Sequence, residues 1–185
     1  NSNKDKFQLV RTCPNAGDCK MYCYAVSGGY IQYSGVNLKQ MRMLNYLMND
    51  WKGFKSQLLS EISKEVKSNK KQLTVLRWHD SGDFFAEAYL DIALEVARET
   101  PQVTHYAYTK NVNLIRKKMR GNELPDNFVF NLSEGGTLDK KLASEDKKSV
   151  VLPKEVFAPF YAKKTKSKDG KYDESELKTA IIKYY

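Results

Sequence analysis

The strongest constraint on the fold is an alternation of strand-like and helix-like segments in the middle of the chain. LTVLRW (73–78) is apolar and β-branched, with SNKK before it and HDSGD after it, and reads as a buried strand. AEAYLDIALEVARE (86–99) sets Leu90, Ala93, Leu94 and Ala97 at helical spacing, and Pro101 ends it. VTHYAYT (103–109) reads as a second strand, NVNLIRKKMR (111–120) as a short basic helix closed by Gly121, and NFVFNLS (127–133) as a third strand before the Gly135–Gly136 turn. KSVVLP (148–153) extends the series. Strands spaced by such helices imply right-handed parallel βαβ units. They are too few to close a full barrel. The expected class is therefore α/β: a partial (open) parallel β/α barrel, or a small parallel sheet flanked by helices.

Upstream, KFQLVR (6–11) is expected as a first strand with the cysteine loop directly after it. Residues 37–68 read as helical with a break near Gly53, their Met and Leu stripe serving as core. After Pro159 the chain turns polar. This divides it into a single α/β metal-binding domain over 1–160 and a lysine-rich C-terminal segment over 161–185 with a short end element. With 185 residues, 41% of them hydrophobic, the chain is long enough to bury a real core. No apolar run approaches the roughly 18 residues of a membrane span, and NSNKDKFQLV has no signal-peptide core. A cytoplasmic protein without a membrane partner is expected. The net charge of +9 suits a nucleic-acid or nucleotide partner, although lysine-bearing helix faces in plain solvent give the same balance.

The chain has three cysteines, Cys13, Cys19 and Cys23, all inside TCPNAGDCKMYCYAVSGGY. An odd number without a signal argues against a disulfide framework. Thiolates are soft ligands that select zinc, copper(I) or iron–sulfur clusters. A structural zinc site takes four protein ligands, so zinc here needs His79 or a carboxylate as the fourth. Three sulfurs in one loop suit a [4Fe–4S] cluster with one iron left open. Three incidental free thiols are the remaining reading.

The strand ends carry the other unusual residues, where ligands gather in open α/β sheets. His79, Asp80 and Asp83 follow the first of these strands. Asp80 and Asp83 are candidates to orient a substrate or act as a base, and Asp83 is equally a cap for the next helix. His79 is a candidate ligand or proton shuttle, or a packed histidine bonded to backbone. Thr109 and Lys110 end the second strand. Lys110 can meet a phosphate or carboxylate, or lie exposed without a role. Ser133, Glu134 and the two glycines after them end the third, where backbone amides can approach a ligand closely.

The succession TCPNAGDCKMYCYAVSGGY, RWHDSGDFF, HYAYTKN and NLSEGG resembles the bacteriophage "gene product 88" family over roughly residues 8 to 136. More distantly, a cysteine loop ending in Cys-Tyr-Ala, a strand with an acidic turn and a strand ending in Thr-Lys look like radical S-adenosylmethionine proteins, spore photoproduct lyase among them. That resemblance implies a [4Fe–4S] cluster on Cys13, Cys19 and Cys23, S-adenosylmethionine on its open iron, and an electron donor as partner. It also implies that the strand ends near Asp80, Thr109 and Ser133 face the cofactor or substrate; beside them, His79 and Lys110 are candidates for the chemistry, and Tyr22, Tyr24, Asp83 and Glu134 for the cofactor. Tyr22 matches the family's aromatic residue before the last cysteine. The gaps here, C-x5-C-x3-C, are wider than the family's C-x3-C-x2-C. HDSGDFF also resembles the Asp-Ser-Gly-Gly-Phe turn of tRNA-guanine transglycosylases, which implies base exchange through Asp80. Asp83 stands where the second glycine belongs, and that family's zinc cysteines are missing. A metal-braced nucleic-acid-binding module without catalysis is the other reading.

Overall fold

The computed structural model describes residues 10–26, 29–69, 73–143, 146 and 148–149. These belong to one compact unit ending at Ser149, so the expected boundary near residue 160 lies outside the described residues. In chain order the elements are α1 (Gly29–Gln32), α2 (Ser34–Asn49), α3 (Trp51–Ser68), β1 (Val75–Trp78), α4 (Glu87–Glu99), β2 (Thr104–Thr109), α5 (Val112–Arg120), β3 (Phe128–Ser133) and the two-residue β4 (Lys148–Ser149). The strands pair in the order β1-β2-β3-β4, all parallel. The fold is thus mixed α/β, a small open parallel sheet flanked by helices. Its strand order never reverses, as in an arc cut from a barrel.

Alternation along the strands separates two faces. On one, Leu76, Trp78, His105, Ala107, Phe128, Phe130 and Leu132 meet the apolar sides of α3, α4 and α5. Leu90, Leu94 and Val96 of α4 and Ile115 of α5 are fully buried there. Removing such a side chain's contacts costs about 2–5 kcal/mol, so this layer holds the fold. The other face shows Val75, Arg77, Tyr106 and Tyr108 from β1 and β2.

His105 is the polar pivot of the core. The Trp78 indole N–H donates to its Nδ1 at 3.1 Å, and Nε2 lies 2.8 Å from Thr100 Oγ1, which donates to the Val96 carbonyl. Because an indole only donates, Nδ1 is the acceptor and Nε2 carries the proton. The ring is neutral, and burial pushes its pKa down to about 4.

The strand and helix boundaries expected over residues 73–133 hold to within two residues. The helical stretch before them has the expected break and needs one correction. Its break falls at Asp50, whose carboxylate accepts from Gly53 N at 2.9 Å and starts α3. Gly53 sits inside that first turn, because a Cβ there would overlap the Asp50 side chain. The Leu stripe of α3 (Leu58, Leu59, Ile62, Val66) does reach the core, but Leu38, Met41, Met43 and Met48 of α2 are exposed and only Leu47 is buried. α2 packs on α3, which in turn packs on α4. Of the expected first strand at 6–11, Val10 and Arg11 are in loop backbone and the rest lies outside the described residues. So does most of the fourth, of which residues 148 and 149 pair.

Candidate functional site at the strand mouth

The cysteine loop is bonded across the carboxyl ends of the strands. Thr12 O accepts from Asp83 N at 2.7 Å, which ties the loop to the turn after β1. Ala16 bridges Gly136 in antiparallel fashion, Gly17 N and Cys19 N both donate to Gly135 O at 3.0 and 3.1 Å, and Thr137 N donates to Asn15 O at 2.9 Å. Glycine is required at this seam. Gly135 has φ +83, and a Cβ on Gly136 would lie 2.9 Å from Asn15 O and 3.2 Å from Lys110 Cβ. The ends of β1, β2 and β3 therefore meet beneath one loop.

Within the loop, a 3-10 turn (Asp18–Tyr22) and a second one (Tyr24–Val26) flank Cys23. The backbones of Tyr22 and Tyr24 close the first turn and open the second. All three cysteines are free thiols and half-buried. Burial pushes the Cys13 thiol up to about 11, helped by the charge of Asp83 and opposed by that of Lys110, with smaller raising effects from Cys19 and Cys23. Cys13 thus feels both other cysteines. Among the described residues, no three His, Cys, Asp or Glu side chains are close enough to hold a metal ion as they stand.

Asp83 fastens β1 to β2. Its Oδ1 accepts from Thr109 Oγ1 at 2.5 Å and Phe84 N at 2.7 Å, and its Oδ2 from Lys110 N at 2.8 Å. Burial raises its pKa, and the three donors pull the other way. It does not cap α4, whose N-cap is Ala86 with no side-chain bond. Thr109 is committed likewise, donating to Asp83 and accepting from Asn111 N at 3.0 Å. Lys110 is half-buried, and Ser133 is buried at the end of β3 with half-buried Glu134 next to it. The Gly135 and Gly136 amides, candidates to approach a ligand, instead donate to the Asp139 carboxylate, each at 2.8 Å.

Asp80 is exposed and accepts from the Tyr30 hydroxyl of α1, so the segment after the cysteines folds back onto the β1 turn. His79 has φ +50, a left-handed conformation uncommon outside glycine, though histidine adopts it more readily than most side chains. Alternation would set it beside Arg77; the turn swings it inward, its ring 4.3 Å from Phe84 and 5.5 Å from Tyr89. Both ring nitrogens are buried without a hydrogen-bond partner, and burial, then Arg77, lowers its pKa to about 4. Of the readings weighed from sequence, His79 is thus packed among aromatic rings, but without the backbone hydrogen bond expected of a packed histidine.

A family model described as gene product 88 matches residues 2–178. The chain belongs to the gene product 88 family. No curated protein and no solved structure matches it. In this gene product 88 protein the motifs legible in sequence converge at one mouth. Three residues that shape the mouth were not singled out from sequence: Thr12, Tyr30 and Asp139. Asp139 had a local signal, an acid three residues after a Gly-Gly turn. Tyr30 and Thr12 had none, because their partners lie far along the chain.

Proposed function

We propose that Cys13, Cys19 and Cys23 hold a [4Fe–4S] cluster over the strand mouth, and that the protein is a radical S-adenosylmethionine-like enzyme acting on a nucleotide or nucleic-acid substrate. The observation that supports this is the seam from Ala16 to Cys19 on Gly135–Gly136, which fastens the backbone of the cysteine loop across the ends of the parallel strands. The donor set is three free thiols; burial raises the Cys13 thiol, so metal binding there has to displace its proton, a step that the Lys110 cation assists. A cluster spreads its thiolates over separate irons, so the three sulfurs need not meet at one atom as ligands to a single zinc ion do. When bound, a reduced cluster supplies the electron for cleavage of S-adenosylmethionine, and the protein's part is binding, orientation and shielding. Asp83 holds the β1 and β2 ends in register beneath the loop, and exposed Asp80 is the carboxylate available to a substrate.

The test is reduction of anaerobically purified protein with dithionite in the presence of S-adenosylmethionine. Release of 5′-deoxyadenosine is expected. Its absence from protein with an intact cluster would refute the enzymatic reading, and stoichiometric zinc in colourless protein would favour a metal-braced binding module.

A further inference from the structure

A parallel sheet is normally covered on both faces. Here the face turned away from α3, α4 and α5 leaves Val75, Arg77 and Tyr108 exposed and Tyr106 half-buried. The Arg77 guanidinium carbon lies 5.3 Å from the centroid of the Tyr108 ring, and the Tyr106 and Tyr108 rings meet edge to face at 6.1 Å. In register, Arg77 pairs with Tyr106, so the three side chains form one patch across β1 and β2. Asn131, the β3 partner of Tyr108, adds a hydrogen-bonding amide on the same face. The three main strands contain no Asp or Glu, so no acid on the strands themselves offsets the Arg77 charge. Tyr108 directly precedes Thr109 and Lys110, so the patch runs up to the mouth beneath the cysteine loop.

We infer that this face is a stacking platform for single-stranded nucleic acid, with bases on the Tyr108 ring and the Arg77 plane and phosphates drawn by Arg77 and Lys110. Aromatic rings and guanidinium planes accept unstacked bases of any sequence, and a positive surface follows the backbone. A duplex hides its base faces and gains only the charge. The inference deepens the proposed function by giving its substrate a surface and rests on that reading for any chemistry after binding. Binding is therefore read separately from metal content.

The experiment is fluorescence anisotropy of fluorescein-labelled oligothymidylate and oligouridylate of roughly twelve nucleotides, with a duplex of equal length as competitor. It is run on full-chain protein of measured iron content, with and without its metal. Wild type should bind the single strands at least about tenfold more tightly than the duplex. Tyr108→Ala should lose roughly five- to hundredfold in affinity and Tyr108→Phe should keep it, since the ring and not the hydroxyl stacks. Arg77→Gln should lose more than Arg120→Gln, which removes an equal charge from an exposed position at the end of α5. Thermal melting checks that each variant is folded, and exposed Arg77 decides the matter if Tyr108→Ala is not. No binding by wild type, equal affinity for duplex, unchanged binding in the Arg77 and Tyr108 variants, or self-association through this face in place of binding would each overturn the platform. Protein that contains no iron when purified without oxygen, yet binds the single strands, would leave the platform standing while the cluster proposal falls.

Discussion

His105 and His79 are both neutral in the fold, for different reasons. His105 is held by a chain of hydrogen bonds that leaves Nδ1 no room for a second proton, and His79 is packed among rings with its nitrogens unpartnered. Both have folded pKa values of about 4 against 6.5 unfolded. The unfolded chain therefore binds protons first as pH falls, and stability complete above about 6.5 is lost down to about 4, at up to about 1.4 kcal/mol per pH unit for each histidine. Urea midpoints at pH 7.5 and pH 5 measure this, and His105→Gln should flatten the slope. Asp83→Ala should cost about 3 kcal/mol, because it strands the buried Thr109 hydroxyl and the Lys110 amide; Asp83→Asn should cost less. A loss within error of zero in equilibrium unfolding would contradict the fastening role. Residue identity at the mouth was legible in sequence, since Asp83, Thr109, Lys110 and the cysteines were all singled out. Their partners were not, because a hydrogen bond between residues 26 apart leaves no local mark. The left-handed His79 was equally hidden, since nothing in HDSGD demands that conformation.

At the scale of elements, two glycines divide the consequences of adding one methyl group. A Cβ at Gly17 would lie 3.0 Å from the backbone of Gly135 and Gly136, which cannot yield. Gly17→Ala should lift the cysteine loop, cost about 1–3 kcal/mol and lower metal retention. Gly35, near the start of α2, faces open space. Gly35→Ala should leave metal retention unchanged and raise stability by up to about 1 kcal/mol. Thermal melts and metal analysis on both variants check the contrast. Strands and helices over 73–133 were legible because each carries a clean apolar period bounded by Pro, Gly or Asn. The Met-bearing α2 misled because its period is equally clean, yet what such a stripe packs against is a tertiary fact. The helix break near Gly53 was legible, but not its cause: Gly53 is the visible residue, while Asp50 does the capping.

For the molecule as a whole, the chain builds a covered face that stabilises it and a mouth where one loop joins three strand ends. The open face carrying Arg77 and Tyr108 borders that mouth. The central claim is that the three cysteines act together as one ligand set. Iron and acid-labile sulfide analysis of protein purified without oxygen, alongside Cys19→Ala, tests it most directly. The account predicts brown protein absorbing near about 400 nm with roughly four irons per chain, and a colourless, iron-poor variant. Colourless wild-type protein without bound metal, whose three thiols all react freely in the native state, would contradict it.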